Sequence, residues 1–359
     1  MGVTPLRLAV IPGDGVGPEV VEESLRVLQY IDDEDPDVAF TFTLFPWGTD
    51  YYLEQGEMMP ADGLEILQGF DAILFGAVGS PRVKDHITLR ELLLRIRFGF
   101  DQYVNLRPIR LLPGVDTPLA GIEPADLDIV FVREATEGEY ADIGEWLHAG
   151  TEREAVHQTA VFSRVGVERV ARWAFEYARR EDRRSVTSVS KANALRYSGV
   201  LWDDVFDEVA SDYPEIETQR LLVDAAAMLL VRYPRRFDVI VASNLYADIL
   251  TDLGAALMGG MGLAPSANLN PERRHPSMFE PIHGSAPDIQ GTGMANPIGS
   301  IWSSALMLAH LGLAEWAERV LGAVEATVAD RATRTPDLGG SARTSDVGLA
   351  VVRNLEVSA

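Results

Sequence analysis

The hydrophobic and polar positions of this chain follow two patterns that alternate along its length. Short apolar runs predict strands at LRLAVI, FTFTLF, DAILFGAV, LDIVFV, SVTSVS, RLLV and FDVIVASN. Between them, apolar residues recur at helical spacing in PEVVEESLRVLQYI, LRELLLRI, VERVARWAFEYARR, GVLWDDVFDEVA and LYADILTDLGAALM. Strands that alternate with helices predict a doubly wound α/β protein whose strands are mostly buried.

The last third of the chain departs from this alternation. Residues 262–297 read GLAPSANLNPERRHPSMFEPIHGSAPDIQGTGMANP, after which a helical pattern returns and continues to about Asp330. A loop-rich segment of this length inside a compact protein is usually either functional or disordered. Its apolar residues and varied composition favour a functional segment.

Length and composition limit the class of protein. A chain of 359 residues with 47% hydrophobic residues is long enough for two domains with large cores. We find neither a signal peptide nor an apolar run of about 18 residues, so we expect a cytoplasmic protein without membrane spans. The sequence contains no cysteine, which excludes disulfides, thiolate nucleophiles and Cys-ligated metal sites.

The charge is strongly acidic. A formal net charge of -23 argues against a nucleic-acid partner, because phosphate binding requires a basic face. Only Lys84 and Lys191 are lysines among the 31 basic residues, and salt adaptation and arginine-favouring codon usage are alternative explanations. An anionic substrate would be repelled by the global field, so its site must contain locally clustered cations.

A glycine-rich turn follows the first predicted strand, in VIPGDGVGPEV. Gly13, Gly15 and Gly17 give the spacing G-x-G-x-G, which differs from the G-x-G-x-x-G of the Rossmann turn. Pro18 and Glu19 suit the start of a helix. The first backbone N–H of a helix has no partner within the helix, so proline loses no hydrogen bond there, and the charge of an acid interacts favourably with the positive end of the helix dipole. The pattern predicts a strand, a tight loop and a helix. A turn that binds no ligand is the alternative.

A pair of acids on a predicted helix indicates a metal site. Asp248 and Asp252 are four residues apart, so both carboxylates lie on one helix face among apolar neighbours. A divalent cation would relieve their mutual repulsion, and oxygen ligands without His or Cys indicate Mg²⁺ or Mn²⁺. Asp224, at the start of VDAAAMLL, is a candidate third ligand. The alternative is a pair of exposed surface acids.

Other side chains are candidates for substrate binding and proton transfer. Arg97, Arg107 and Arg133 lie in RIRFGFDQYVNLRP and at the end of LDIVFVRE. Converging arginine forks would hold a small dicarboxylate, although each arginine alone is equally consistent with a solvated surface residue. Lys191 follows a predicted strand and is a candidate general base, and Tyr140 is a candidate acid.

Taken together, the motifs resemble one family. IPGDGVGPEV, NLRP, VRE, SKAN, NLYADILTDLG and EPIHGSAPDIQGTGMANP occur in this order in the β-decarboxylating dehydrogenases of 2-hydroxy acids, which include the isopropylmalate, isocitrate, homoisocitrate and tartrate/D-malate dehydrogenases. The resemblance extends from Arg7 to about Gly340. It implies the two-domain, doubly wound α/β fold of isopropylmalate and isocitrate dehydrogenases, which is not a Rossmann fold.

The resemblance also implies the domain boundaries. A cofactor-side domain would comprise residues 1–102 and 259–359. A metal-binding and dimerisation domain would comprise residues 103–258, with an arm near residues 134–165, and the active cleft would lie between the domains. The family is homodimeric with shared active sites, so we expect Lys191 and Asp224 to reach in from the partner subunit.

The same resemblance assigns the cofactor. The glycine turn would lie beside its adenosine end, while most contacts would come from His283, Gly284, Ser285, Ala286, Pro287, Asp288 and Asn296. Asp288 stands where NAD-dependent members carry an acid, whose carboxylate accepts bonds from the ribose hydroxyls and repels a 2′-phosphate. We therefore predict NAD.

The remaining site residues receive roles from the family in the same way. The resemblance implies that Mg²⁺ or Mn²⁺ is bound by Asp224, Asp248 and Asp252. It implies that the substrate carboxylates are bound by Arg97, Arg107 and Arg133, and that Lys191 and Tyr140 transfer protons. Their presence argues against a non-catalytic regulatory member of the family.

Three positions bear on the substrate. Leu93 and Leu94 match the isopropylmalate enzymes, but Arg90 replaces the Glu of those enzymes and the Trp usual in the tartrate/D-malate branch. The surrounding segments, including LLLRIRFGFDQYVNLRPIRLLPGV and NPIGSIWSSALML, most resemble the tartrate/D-malate branch. We predict decarboxylation of a small 2-hydroxy dicarboxylate, D-malate first and tartrate second. The alternative is a 3-isopropylmalate dehydrogenase or an enzyme of relaxed specificity.

Overall fold

A computed structural model describes residues 5–357. The chain forms two compact units. The first contains the described parts of Met1–Gln102, Arg107–Leu127 and Ala255–Ala359, and the second contains Tyr103–Leu106 and Asp128–Gly254. Residues 107–127 and 255–258, which the resemblance places with the middle of the chain, lie in the first unit.

The described residues form alternating strands and helices. The strands are β1 Leu6–Gly13, β2 Phe40–Leu44, β3 Ala72–Ala77, β4 Val104–Arg110, β5 Asp128–Glu134, β6 Gly138–Leu147, β7 Ala155–Val161, β8 Ser185–Ser190, β9 Glu217–Leu222, β10 Val239–Ala242, β11 Pro265–Leu269 and β12 Ser277–Pro281. The helices are α1 Gly17–Glu34, α2 Thr49–Gln55, α3 Gly63–Leu67, α4 Asp85–Thr88, α5 Arg95–Gly99, α6 Arg164–Arg180, α7 Ser198–Ala210, α8 Val223–Arg232, α9 Asn244–Leu257, α10 Ile298–His310, α11 Ala314–Ala329 and α12 Thr344–Val357. A π-helical turn, Leu89–Leu94, connects α4 to α5.

In the first unit the strands follow the order β2-β1-β3-β12-β11. The first four are parallel, and β11 runs antiparallel to β12. Every residue of β3 is buried, as expected for a strand covered on both faces. Helix α1 packs against α10 and α12, and its buried positions, including Val20, Val27 and Ile31, form the apolar stripe that the sequence predicts.

In the second unit the strands β5, β10, β8 and β9 are parallel and adjacent in that order. Helix α6 packs against β5, β10 and α7. Strands β6 and β7 form a separate antiparallel ribbon, which is largely exposed and falls within the arm expected near residues 134–165. Because the four parallel strands run the same way, their carboxyl ends and the side chains that follow them share one edge.

The α/β fold class predicted from the alternating pattern is confirmed. Several details differ from the pattern, which did not predict the strands β4, β6 and β7. The segment 262–297 contains β11 and β12, because its glycines and prolines mask two short buried strands. The LRELLLRI helix is interrupted by the π-helical turn at Leu89–Leu94. Among the helices of residues 5–357, none has both the length and the apolar content that crossing a bilayer requires.

The first unit should lose stability in mild acid through His310. Burial, with a smaller contribution from the charge of Arg273, lowers the pKa of His310 from 6.5 to about 4. Between these two values the unfolded chain binds a proton that the folded chain does not, so the free energy of unfolding falls as the pH drops from 6.5 to 4. The full shift corresponds to about 3 kcal/mol.

We expect His310→Gln to flatten this dependence in urea titrations at pH 7, 6 and 5. His157→Gln, which removes an exposed histidine of the arm, is the matched control. A slope that is equally steep in His310→Gln and in the wild type would contradict the assignment.

Candidate active site

Three loops of the first unit meet at the carboxyl ends of β1 and β3. The register pairs Gly13 with Ala77, so the chain segments that follow both strands start side by side. The Asp14 carboxylate accepts hydrogen bonds from the backbone N–H of Thr49 at 2.7 Å, the Thr49 hydroxyl at 2.8 Å and the backbone N–H of Gly79 at 2.8 Å. Asp14 therefore fixes the glycine turn to both neighbouring loops.

The glycine turn also holds the later loop that contains HGSAPDI. The backbone N–H of Val16 donates to the Ser285 carbonyl at 2.8 Å, and a Cβ on Gly15 would lie 1.9 Å from the same oxygen. Glu19 accepts hydrogen bonds from the backbone N–H groups of Gly291 and Gly293. The glycines are thus required for close approach of two backbones, which is the structural role of this motif.

The residues assigned to the cofactor lie on this later loop. His283 Nε2 is shielded from solvent and has no hydrogen-bond partner among the described residues. Burial lowers the pKa of His283, so the ring is neutral near pH 7, and its Nδ1 lies 2.9 Å from the Gly284 carbonyl oxygen. With Nδ1 as the donor, Nε2 is left as an acceptor for a ligand.

The rest of the loop combines exposed and internally bonded groups. Gly284, Pro287 and Asp288 are exposed, whereas Ser285 is buried and Ala286 has a φ of 40°. Asn296 is occupied by internal bonds, since its amide donates to Asp337 at 3.0 Å and accepts from the backbone of Ile298 at 3.1 Å. A cavity of about 450 Å³ lies between the glycine turn, Pro287 and Gln290, and this volume suits part of a small-molecule ligand.

The first unit also contains two of the three candidate substrate arginines. Arg97 on α5 is buried and donates to Glu280 Oε1 at 2.5 Å, and Asn268 donates to the same oxygen at 2.8 Å. Arg97 Nε is shielded and has no partner among the described residues. Arg107 lies on β4 and is buried.

The three positions that bear on the substrate are close in sequence to Arg97. Arg90, Leu93 and Leu94 belong to the π-helical turn, with both leucines buried and Arg90 half-buried. Leu93 packs in the hydrophobic cluster that contains Ile96 and Phe100.

The second unit brings Arg133, Asp248 and Tyr140 together. Arg133, the penultimate residue of β5, forms an ion pair with Asp248 on α9. Tyr140 donates its phenolic hydroxyl to the other oxygen of Asp248 at 2.8 Å. The guanidinium of Arg133 also donates to Asn244 Oδ1. A guanidinium and a phenolic hydroxyl therefore both bind the carboxylate of Asp248.

Two acids fix the turn that connects Arg133 to Tyr140. Glu134 accepts hydrogen bonds from the backbone and hydroxyl of Thr136 and from the backbone of Glu137. Burial raises the pKa of Glu134, and these hydrogen bonds oppose the rise. Glu137 in turn accepts from the backbone and hydroxyl of Ser163, which caps the first turn of α6. The base of the arm is thereby tied to the body of the second unit.

Lys191 and Asp224 form a separate pair in the second unit. The register pairs Ser190 with Leu222, so the residues that follow β8 and β9 are neighbours. Lys191 Nζ donates to Asp224 Oδ1 at 2.6 Å. This hydrogen bond holds the pKa of Asp224 below its ordinary value.

The structure places Asp224 apart from the two other candidate metal ligands. Asp248 and Asp252 are one helical turn apart on α9, whereas Asp224 binds Lys191. Among residues 5–357, no three His, Cys, Asp or Glu side chains are grouped so that they could hold a metal ion. Within a single chain, the donor set for a cation is therefore the pair Asp248 and Asp252. Its oxygen-only chemistry fits Mg²⁺ or Mn²⁺.

Residues 7–351 match the isocitrate/isopropylmalate dehydrogenase family, and the chain belongs to that family. Membership supports an oxidoreductase of the decarboxylating dehydrogenase class. Enzymes of this family generally use NAD(P) and a divalent metal ion.

Relatives with different substrates in their names are equally similar to this chain. It is 50% identical over 345 residues to a probable tartrate dehydrogenase/decarboxylase of Agrobacterium vitis, with 96% of each chain covered. It is 49% identical over 357 residues to the decarboxylating D-malate dehydrogenase of Escherichia coli, with 97% of this chain and 98% of the other covered. It is also 49% identical over 348 residues to the 3-isopropylmalate dehydrogenase of Thermobifida fusca, with 97% of each covered.

The fold is similar to that of a solved isocitrate dehydrogenase from Methylococcus capsulatus. The TM-score is 0.88 at 35% sequence identity, with 98% of this chain and 99% of the other covered. The resemblance stated from the motifs and the expected fold are both confirmed.

Sequence reasoning missed several residues that organise these sites. Asp14, Glu280 and Asn244 each fix a loop or an arginine, but none was singled out. Glu280 carried a signal, because a charged residue inside the apolar run SMFEP requires a buried partner. Asp14 also carried one, since a carboxylate between two turn glycines is well placed to accept backbone hydrogen bonds.

Replacing Gly15 should destabilise the first unit more than replacing a glycine of similar backbone geometry. Gly56 has a φ of 83° and Gly15 a φ of 60°, but a Cβ on Gly56 would meet nothing within 4 Å. We expect Gly56→Ala to cost about 1 kcal/mol of unfolding free energy, from backbone strain alone. Gly15→Ala should cost about 1–3 kcal/mol more, because its Cβ collides with the Ser285 carbonyl.

Urea denaturation of both variants measures the difference. Equal costs would show that the turn does not depend on this close approach.

Proposed function

We propose that this chain catalyses the NAD-dependent and divalent-metal-dependent oxidative decarboxylation of a small 2-hydroxy dicarboxylate, D-malate to pyruvate and CO₂ first and tartrate second. One observation carries the proposal, namely the contact of Arg133, Asp248 and Tyr140 at the carboxyl edge of β5 and β10. These three groups are suited to bind a substrate carboxylate, hold a cation and deliver a proton. Family membership supports the reaction class.

The metal site in this proposal consists of Asp248 and Asp252 of one chain with Asp224 of a second chain. The donor chemistry fits, because all three ligands are carboxylates that prefer hard cations. When bound, Mg²⁺ or Mn²⁺ would lower the pKa of the substrate's C2 hydroxyl and stabilise the negative charge that develops during loss of CO₂.

The cofactor in this proposal is NAD, which supplies the hydride acceptor. The unpartnered Nε2 of His283 is a buried acceptor that a ligand would satisfy. The exposed carboxylate of Asp288 supports NAD over NADP, since it can accept bonds from ribose hydroxyls and would repel a 2′-phosphate.

Two residues of the chain move protons in the proposed reaction. Lys191, in its neutral amine form, accepts the proton of the C2 hydroxyl as the hydride leaves C2, which gives the keto acid. After CO₂ departs with the bonding electrons left on C3, Tyr140 donates its phenolic proton to C3. Arg97, Arg107 and Arg133 bind the substrate carboxylates and orient them throughout.

The choice of D-malate rests on the π-helical turn and on the relatives. Leu93 and Leu94 are buried and hydrophobic, which disfavours a further anionic group of the kind that isocitrate carries. Arg90 matches neither branch, because it replaces the Glu of the isopropylmalate enzymes and the Trp usual in the tartrate/D-malate branch, so the segments around it carry the choice. The second candidate is 3-isopropylmalate, because both leucines match that branch and the Thermobifida fusca relative is 49% identical.

We propose that the active form is a homodimer. The ribbon β6–β7 exposes the large apolar side chains Ile143, Trp146 and Val156, and α8 and α9 expose others such as Met228 and Ile249. Apolar side chains concentrated on these elements are typical of a surface that a second subunit covers. The hydrogen-bonded pair of Lys191 and Asp224 would enter the neighbouring site as one unit.

The substrate is tested by NADH formation with Mn²⁺ and equal concentrations of D-malate, L-tartrate, 3-isopropylmalate and isocitrate. We expect the highest kcat/KM with D-malate, measurable turnover with L-tartrate, a preference for NAD over NADP, and loss of activity with EDTA. A preference for 3-isopropylmalate would overturn the substrate assignment. No turnover with any of the four acids would overturn the proposed reaction.

Shared active sites are tested by complementation between two inactive variants. Lys191→Ala and Asp252→Asn should each lower kcat by at least about 10²-fold, through loss of the base or of a metal ligand. Co-expression of the two chains should restore about one quarter of wild-type activity, because half of the dimers are mixed and each mixed dimer has one intact site.

Wild-type chains with two different affinity tags, co-purified after co-expression, control for formation of mixed dimers. If mixed dimers form and activity is not restored, Lys191 acts within its own chain.

A further inference from the structure

We propose that Asn244 is a positioning residue for substrate binding. It accepts hydrogen bonds from one edge of the Arg133 guanidinium and so orients that cation toward the substrate carboxylate. This inference rests on the proposed function, and it assigns a role to a residue that has received none above.

The contact between the two side chains is buried and two-pronged. Arg133 and Asn244 are each 1% exposed. Arg133 Nε and Nη2 both donate to Asn244 Oδ1, at 3.0 and 2.5 Å. Because Nε and Nη2 lie on one edge of a rigid planar group, two bonds to a single acceptor hold that edge against Asn244 and direct the opposite edge away from it. The opposite nitrogen, Nη1, is the one that faces Asp248.

The amide of Asn244 is itself held in one orientation. Its Nδ2 donates to the Glu137 carbonyl at 3.3 Å, so Oδ1 is the atom directed at Arg133. Glu137 belongs to the turn fixed by Glu134 and Ser163, and this turn leads directly to Tyr140. Asn244 therefore connects the guanidinium to the segment that carries the proposed proton donor.

A neutral acceptor suits this place better than an acid. A carboxylate at position 244 would lie beside Asp248 and would add a second negative charge against the same guanidinium. Arg133 would then be largely neutralised, and its attraction for a substrate carboxylate would weaken. The amide fixes the cation without cancelling its charge.

The backbone sets the distance between the two residues. The register pairs Arg133 with Ala242 across β5 and β10, and Asn244 follows two residues later as the first residue of α9. Asp248 is one turn further along the same helix. The guanidinium of Arg133 is thus hydrogen-bonded to the helix that also carries Asp248, the proposed metal ligand. The cation and the metal ligand are therefore both held by one rigid element.

Loss of the hydrogen bonds between Asn244 and Arg133 should weaken substrate binding more than it slows turnover. Arg133 contacts the substrate carboxylate equally in the ground state and in the transition state, so a misdirected guanidinium raises KM with less effect on kcat. We expect Asn244→Ala to raise the KM for D-malate about 10-fold or more and to leave the KM for NAD within about 2-fold of wild type.

The experiment compares Asn244→Ala and Asn244→Ser with Thr251→Val. Thr251 lies on α9, is fully buried and uses its hydroxyl for local backbone bonds, so its replacement reports a general weakening of the helix. Serine keeps a polar side chain that favours a helix start but is too short for the two-pronged contact, and it serves where the alanine variant fails to fold. KM values and calorimetric binding of D-malate with Mn²⁺ are measured for each variant.

A double-mutant cycle with Arg133→Lys separates positioning from a structural role. Lysine keeps the charge but lacks the planar fork, so Asn244→Ser should change the D-malate KM by less than about 2-fold in the Arg133→Lys background. An equal increase in both backgrounds, or an equal increase in Thr251→Val, would overturn the proposal.

Different results would contradict the proposed reaction and the proposed role of Asn244. Wild-type protein that binds D-malate without turning it over refutes the proposed reaction, and the binding constants of the variants then decide the role of Asn244. Wild-type protein that binds no small dicarboxylate overturns the role of Asn244 as well.

Discussion

The parallel register of β5, β10, β8 and β9 is the constraint on which the candidate site of the second unit depends. It pairs Arg133 with Ala242 and Ser190 with Leu222, and so brings the ends of these strands, and the residues that follow them, side by side. A slip of one residue in β5 would move Arg133 to the opposite face of the sheet, away from Asn244. Lys191 and Asp224 meet for the same reason. The buried apolar residues of β5 and β10 favour this register.

The buried arginines show how an acidic protein keeps cations for an anionic ligand. Arg133 is paired with Asp248, and Arg97 with Glu280, so neither charge is left uncompensated in a dry environment. Asp248 and Glu280 are both carboxylates, so a carboxylate of a ligand could take the place of either one and compensate the arginine charge to a similar extent. Substrate binding in the proposed reaction is therefore an exchange of carboxylate partners, and the amide of Asn244 holds Arg133 in place while the exchange occurs. The net charge of -23 makes this local arrangement necessary, because the field of the whole protein repels the substrate.

The sequence predicted those features that depend on local pattern or on a contiguous motif. The alternation of strands and helices, the helix that carries Asp248 and Asp252, and the family all follow from neighbouring residues. Contacts between distant residues were not accessible in this way. Asn244 and Arg133 are 111 positions apart, and Glu280 and Arg97 are 183 apart, so only the folded chain shows that they meet. The strands β11 and β12 were missed because each contains a proline and the segment around them is rich in glycine and proline.

The substrate cannot be read from overall similarity, because relatives named for tartrate, D-malate and 3-isopropylmalate are all 49–50% identical to this chain. In the proposed function the choice depends on a few side chains near Arg97. Leu93 packs in the hydrophobic cluster of the first unit, so replacing it would disturb the packing of the core as well as the proposed binding of the substrate. Arg90 is half-buried near the start of the same turn. It matches neither the isopropylmalate branch nor the tartrate/D-malate branch, so in the proposed function this position distinguishes the chain from both.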